Sequence, residues 1–107
     1  MMKKLITVLG IAGMVVMGAG LGLAHTPLCS CYDNGDDTVT CEGGFSDGSS
    51  AAGVQMRVEA KDGKVLIEGK MDEDSEYAFD KPAVPYTVVF DAGEGHVIEI
   101  DGKDIVE

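Results

Sequence analysis

Short apolar runs that alternate residue by residue with polar ones constrain this chain most, because a period of two belongs to strands and not to helices. Val54, Met56 and Val58 alternate with Gln55, Arg57 and Glu59. Asp62-Gly63 then supplies a turn, and Val65 and Ile67 share a face of the next strand. Tyr77 and Phe79 alternate with Glu76, Ala78 and Asp80, and Pro82 and Pro85 break the chain. Tyr86, Val88 and Phe90 line a further strand, and Ile98 and Ile100 flank Glu99 in another, closed by Asp101-Gly102. No helical period competes with this pattern. Strands punctuated by turns every eight to twelve residues or so predict an all-β chain, a small antiparallel β-sandwich of about seven strands.

Upstream, Cys29 to Cys41 reads as a hairpin around Asn34-Gly35. A three-residue loop, 34–36, sets Cys29 directly opposite Cys41 with Cys31 beside them, and all three sulfurs then share one face. A two-residue Asn-Gly turn shifts the register by one and separates Cys41 from the others. The three-residue loop is the preferred register. Three cysteines are an odd number, so at most two pair internally. The disulfide candidates are Cys29 or Cys31 with Cys41, a staple of roughly 2–4 kcal/mol. The sharper alternative is a thiolate cluster of Cys29, Cys31 and Cys41, which selects Cu(I) or Zn(II).

The first 24 residues read as a removable secretory signal. Lys3 and Lys4 precede an apolar run from Leu5 that ends in Gly22-Leu23-Ala24, small at both positions a signal peptidase inspects. Left uncleaved, a run of about 20 residues is long enough to anchor the chain in a bilayer; its five glycines and small-residue end favour cleavage. The expected organisation is a signal at 1–24, a cysteine hairpin at 25–44 and a sandwich core at 45–107, with 25–107 folding as one domain. All 19 acidic residues lie beyond the signal, and the eight Lys and Arg less Lys3 and Lys4 leave six cations, so the mature charge is −13. Such a surface repels nucleic acid and anionic membranes and favours cations.

Cleavage after Ala24 makes His25 the first residue, which offers a metal its α-amine and its own ring nitrogen. His96 is the only other histidine. Together they supply three nitrogens, the set called a histidine brace, which suits Cu(II) or Ni(II). The alternative N-terminal mode, through deprotonated backbone amides, needs histidine third; Pro27 stands there and has no amide proton. The acidic runs Asp33, Asp36, Asp37 and Asp72, Glu73, Asp74, Glu76 lack the glycine and terminal glutamate of a calcium loop and read as solvated turns. No nucleophile–base grouping or phosphate-binding glycine loop is present, so no enzymatic activity is expected.

The stretch EGGFSDGSSAAGVQMRVEAKDGKVLIEGKMDEDSEYAF, followed by YTVVFDAGEGHVIEI, resembles the carboxypeptidase-regulatory-like (transthyretin-like) β-sandwich modules. It is most similar to the exported accessory proteins of bacterial nickel/cobalt uptake systems, whose mature chains begin with histidine after an alanine and carry a D-A-G-x-G-H segment near the end. The resemblance covers residues 42–100, with His25 by position. It implies a periplasmic, non-enzymatic protein that binds nickel or cobalt, alternatively copper, through His25 and His96 and presents it to a membrane transporter component; the other alternative is a structural sandwich module that docks to a partner protein and binds no metal. Two departures stand out: Ser75 occupies a turn position where the family has glycine, and HTPLCSCYDNGDDTVTC adds three cysteines foreign to the pattern.

Overall fold

Seven strands form in the computed structural model, which describes residues 25–107; the signal and anchor readings fall on 1–24, outside the described residues. They are β1 (Pro27–Asp33), β2 (Thr38–Phe45), β3 (Gln55–Ala60), β4 (Val65–Lys70), β5 (Glu76–Asp80), β6 (Tyr86–Asp91) and β7 (Val97–Asp101), followed by a 3-10 turn at Gly102–Asp104. One sheet has the order β1-β2-β5 and the other β4-β3-β6-β7, with every pairing antiparallel. The chain is thus a small all-β sandwich, as the alternation predicts. Among the described residues no helix is long and apolar enough to cross a membrane.

The inner face of each strand makes the core. Met56, Val58, Val88 and Phe90 of one sheet meet Val39 and Cys41 of the other, and all six are fully inaccessible to solvent. Phe45 tilts against Phe90 at 6.1 Å between ring centres, and Phe79 meets Tyr86 edge-on at 6.2 Å. Gly43 belongs to this packing, because a Cβ there would lie 2.7 Å from the Phe90 ring and 2.8 Å from the Met71 sulfur. The sheets approach so closely at that point that only hydrogen fits.

Two expectations are corrected. Val65 and Ile67 do not share a face. A bulge between Val58 and Glu59 sets Val65 opposite Glu59 on the outer side, where it is 43% exposed, while Ile67 stays opposite buried Val58. The first hairpin also pairs differently, with Cys31 opposite Cys41 and Cys29 opposite Gly43. Its loop is longer than three residues. Asp33 accepts the Gly35 amide at 2.8 Å, Asp36 accepts the Thr38 amide at 3.1 Å, and Asp37 takes a left-handed conformation, φ 71°. Asp tolerates that region because its short side chain bonds locally. The register moves by two residues, so parity is kept and the sulfurs still share a face.

Ser75 is left-handed too, with φ 61°. Its hydroxyl accepts the Ala51 amide at 2.9 Å, and its carbonyl accepts the Gly43 amide at 2.9 Å. These bonds hold a non-glycine residue in a turn conformation that glycine adopts freely.

Truncating the central aromatic tests this packing. Phe90→Ala is expected to lower unfolding free energy by about 3–5 kcal/mol, through lost burial and the cavity left between the sheets. Equilibrium urea unfolding checks it; a loss below about 1 kcal/mol contradicts a core centred on this ring.

Candidate metal centre

The first hairpin carries the sulfur donors. Side chains of β1 alternate, so Leu28, Ser30 and Tyr32 point to solvent while Cys29 and Cys31 pack against the core edge. Cys31 and Cys41 are joined by a disulfide, with Cα atoms 4.0 Å apart, and Cys29 is free. Their ligand atoms all lie within 4.8 Å of one another, and this is the one group of three or more His, Cys, Asp or Glu donors that converges among the described residues. Of the two pairings open from the sequence, the structure contains Cys31–Cys41. A cross-strand disulfide is the chemistry of an oxidising compartment. Burial among apolar side chains pushes the Cys29 thiol up to about 11, since a thiolate there would lose its hydration.

The nitrogen donors stand elsewhere. Thr26 and Ser46 hydrogen-bond across the open end of the β1–β2 hairpin, and beyond them His25 Nδ1 lies 3.0 Å from an Asp47 carboxylate oxygen. Hydrogen bonds from Ser49, and then the nearness of His25, hold the Asp47 carboxyl below its usual range. His96 closes the turn between β6 and β7. Its amide donates to Gly93 O at 2.8 Å and its carbonyl accepts from Ala92 N at 3.0 Å. The His96 Nδ1 lies 3.2 Å from the Glu94 carbonyl oxygen. A carbonyl can only accept, so Nδ1 is the donor in this contact and Nε2 is left out of it. Fixing one ring nitrogen this way is how protein structures orient a metal-binding imidazole.

The two histidines occupy the same end of the sandwich. Phe45, next to the Ser46–Asp47 turn, lines one concavity with Asp91 and Ala92, at the start of the turn that ends in His96. Edge strands β1 and β7 also run alongside each other across the two sheets. The two rings share that end without being brought together: Asp47 lies beside His25, yet His25, Asp47 and His96 do not converge as one donor group among the described residues. In a brace the third donor is the α-amine of residue 25, adjoining the segment outside the described residues. An amine–imidazole chelate uses Nδ1, the atom that faces Asp47, so the carboxylate stands within reach of whatever Nδ1 binds.

Asp47 and the Glu94 carbonyl were not singled out from the sequence. The paired positions of the hairpin sum to 72, and the same rule carried past Pro27↔Phe45 pairs 25 with 47. The three-residue loop, with a sum of 70, hides that partnership. The acidic runs behave as turn chemistry: Asp72 accepts the amides of Asp74 and Glu76, and Asp33 is paired with Lys81 at 2.8 Å. No family model matches the chain, and no curated protein or solved structure matches it. The likeness to nickel/cobalt accessory proteins therefore rests on the motif residues alone.

One accessible thiol per unreduced, unfolded chain is expected, titrated with a chromogenic disulfide; three would contradict the staple. In the folded chain at pH 8, Cys29 is expected to alkylate about a hundredfold more slowly than an ordinary thiol, in proportion to its smaller thiolate fraction. The sign for stability follows from the raised value. The folded state holds the thiol proton more tightly, so this contribution is present below the ordinary thiol range and is lost as pH rises toward 11.

Proposed function

We propose that this chain is an exported, non-enzymatic metal-binding sandwich that captures nickel or cobalt and presents it to a membrane transporter component. What supports the reading is the common placement of His25 and His96 at one end of the sandwich. His96 has Nδ1 on the Glu94 carbonyl, which leaves Nε2 for a metal, and the end itself is open to solvent. His25 is largely exposed, with 62% of its side chain accessible, and His96 is half-buried. Three nitrogens, from the amine and ring of His25 and Nε2 of His96, suit a tetragonal Ni(II) or Cu(II) ion, so copper handling is the close alternative. The strongly acidic composition favours a cation as ligand, and the periplasm is the compartment that fits both the signal segment and the disulfide.

The α-amine carries this reading. A single extra residue ahead of His25 removes it as a ligand and leaves both imidazoles in place. Calorimetric titration of Ni(II) into the two chains is expected to show binding at least about tenfold weaker for the extended form, close to 1.4 kcal/mol. Equal affinities would contradict the brace. His96→Ala is expected to abolish tight binding while leaving the unfolding midpoint nearly unchanged, because the ring sits at a surface turn and fills no core space.

A further inference from the structure

We infer that the β1–β2 hairpin holds a second metal site, a three-thiolate Cu(I) site built from Cys29, Cys31 and Cys41 that the Cys31–Cys41 disulfide keeps closed. This site is independent of the histidine end and takes a different ion in a different oxidation state.

The placement of the sulfurs carries the inference. Three sulfur atoms lie within 4.8 Å of one another, on adjacent strands and on one face, so only the disulfide-bonded pair has to separate to give the triangle that a trigonal ion needs. Cleaving the disulfide lets the Cys31 and Cys41 sulfurs move apart by side-chain rotation, while β2 stays held by β1 on one side and β5 on the other. Coordination number then selects the ion. Zn(II) in a structural site takes four ligands in a tetrahedron. Here no fourth His, Cys, Asp or Glu donor converges with the three among the described residues. Cu(I) is satisfied by two or three soft sulfurs. Thioether sulfur is a soft donor of the same class, and the Met71 sulfur lies 2.8 Å from where a Gly43 Cβ would be, directly across from Cys29. The surroundings are therefore sulfur-rich and apolar.

Access comes from the strand edge. β1 is the outer strand of its sheet, and Cys29 on it is only half-buried. The opening reaction is ordinary thiol–disulfide exchange. A dithiol reductant gives two electrons and two protons, the Cys31–Cys41 bond breaks to two thiols, and the reductant leaves as its own disulfide. Cu(I) then displaces the thiol protons as it binds. In the closed form Cys29 alone remains, protonated and half-buried, and cannot hold the ion.

The test uses the mature chain with its authentic N-terminus, reduced anaerobically, freed of reductant and titrated with Cu(I) against a chromogenic Cu(I) chelator. The expected result is one tightly held Cu(I) per reduced chain, with thiolate-to-copper absorption in the near ultraviolet and all three thiols protected from alkylation. The disulfide form is expected to show no such absorption. Excess Zn(II) is expected to leave the Cu(I) in place. Cys29→Ser, which keeps the staple in the oxidised chain, is expected to weaken Cu(I) binding to the reduced chain at least about tenfold. Far-ultraviolet circular dichroism is recorded on every form, and the Cu(I)-loaded chain is expected to keep the strand spectrum. Displacement by Zn(II), indifference to Cys29→Ser, or a copper-loaded chain without strand signal would each overturn the site. His25→Ala and His96→Ala are expected to leave Cu(I) binding intact and Cys29→Ser to leave Ni(II) binding intact, so failure of one site is separable from failure of the other.

Discussion

The register of the β1–β2 hairpin, set by hydrogen bonds within residues 33–38, decides which side chains meet along its whole length. It puts Cys31 against Cys41 and Cys29 against Gly43, and beyond the strand ends it brings His25 to Asp47. A slip of one residue would turn every side chain to the other face, sending the sulfurs to water and Leu28 and Tyr32 into the core. The turn prevents this through short local bonds. Asp33 and Asp36 fix the amides of Gly35 and Thr38, and Asn34 reaches the hydroxyls of Thr38 and Thr40 at 2.9 Å each. The disulfide locks the same register covalently, closing a short loop and narrowing the unfolded ensemble, a contribution of roughly 2–4 kcal/mol.

That register also keeps the two proposed metal sites apart. His25 stands four positions before Cys29, about 13 Å at the rise of an extended chain. The nitrogen donors stand at the wet end of the sandwich, with His25 beside the Asp47 carboxylate, where a bound divalent ion would keep part of its hydration. The sulfur donors lie against the core edge, where desolvation disfavours a free thiolate and the disulfide occupies two of the three atoms. One fold thus offers borderline nitrogen ligands and soft sulfur ligands without mixing them.

Much of the fold was legible in the sequence because burial imposes a period of two. Met56 and Val58, Tyr86, Val88 and Phe90, and Tyr77 and Phe79 all turn their expected faces inward. Val65 escaped that logic because a bulge inserts a residue and reverses facing, and alternation carries no mark of a bulge. The hairpin loop escaped it because Asp37 adopts a left-handed conformation through local bonding, which lengthens the loop without a glycine to announce it. The face of the cysteines survived the error since a shift of two preserves parity. Their pairing did not follow from parity, and neither did Asp47, whose link to His25 appears only once the true register is known. His25 and His96 were legible as residues, and their common end of the sandwich follows from topology that spans the whole chain.

X-ray absorption at the nickel edge of the untagged, disulfide-intact chain loaded with one equivalent of Ni(II) tests the central claim most directly. The expected spectrum has a first shell of nitrogen and oxygen only, with the outer-shell scattering of two imidazoles. Sulfur in the first shell, or the signature of fewer than two imidazoles, would contradict a metal held by His25 and His96.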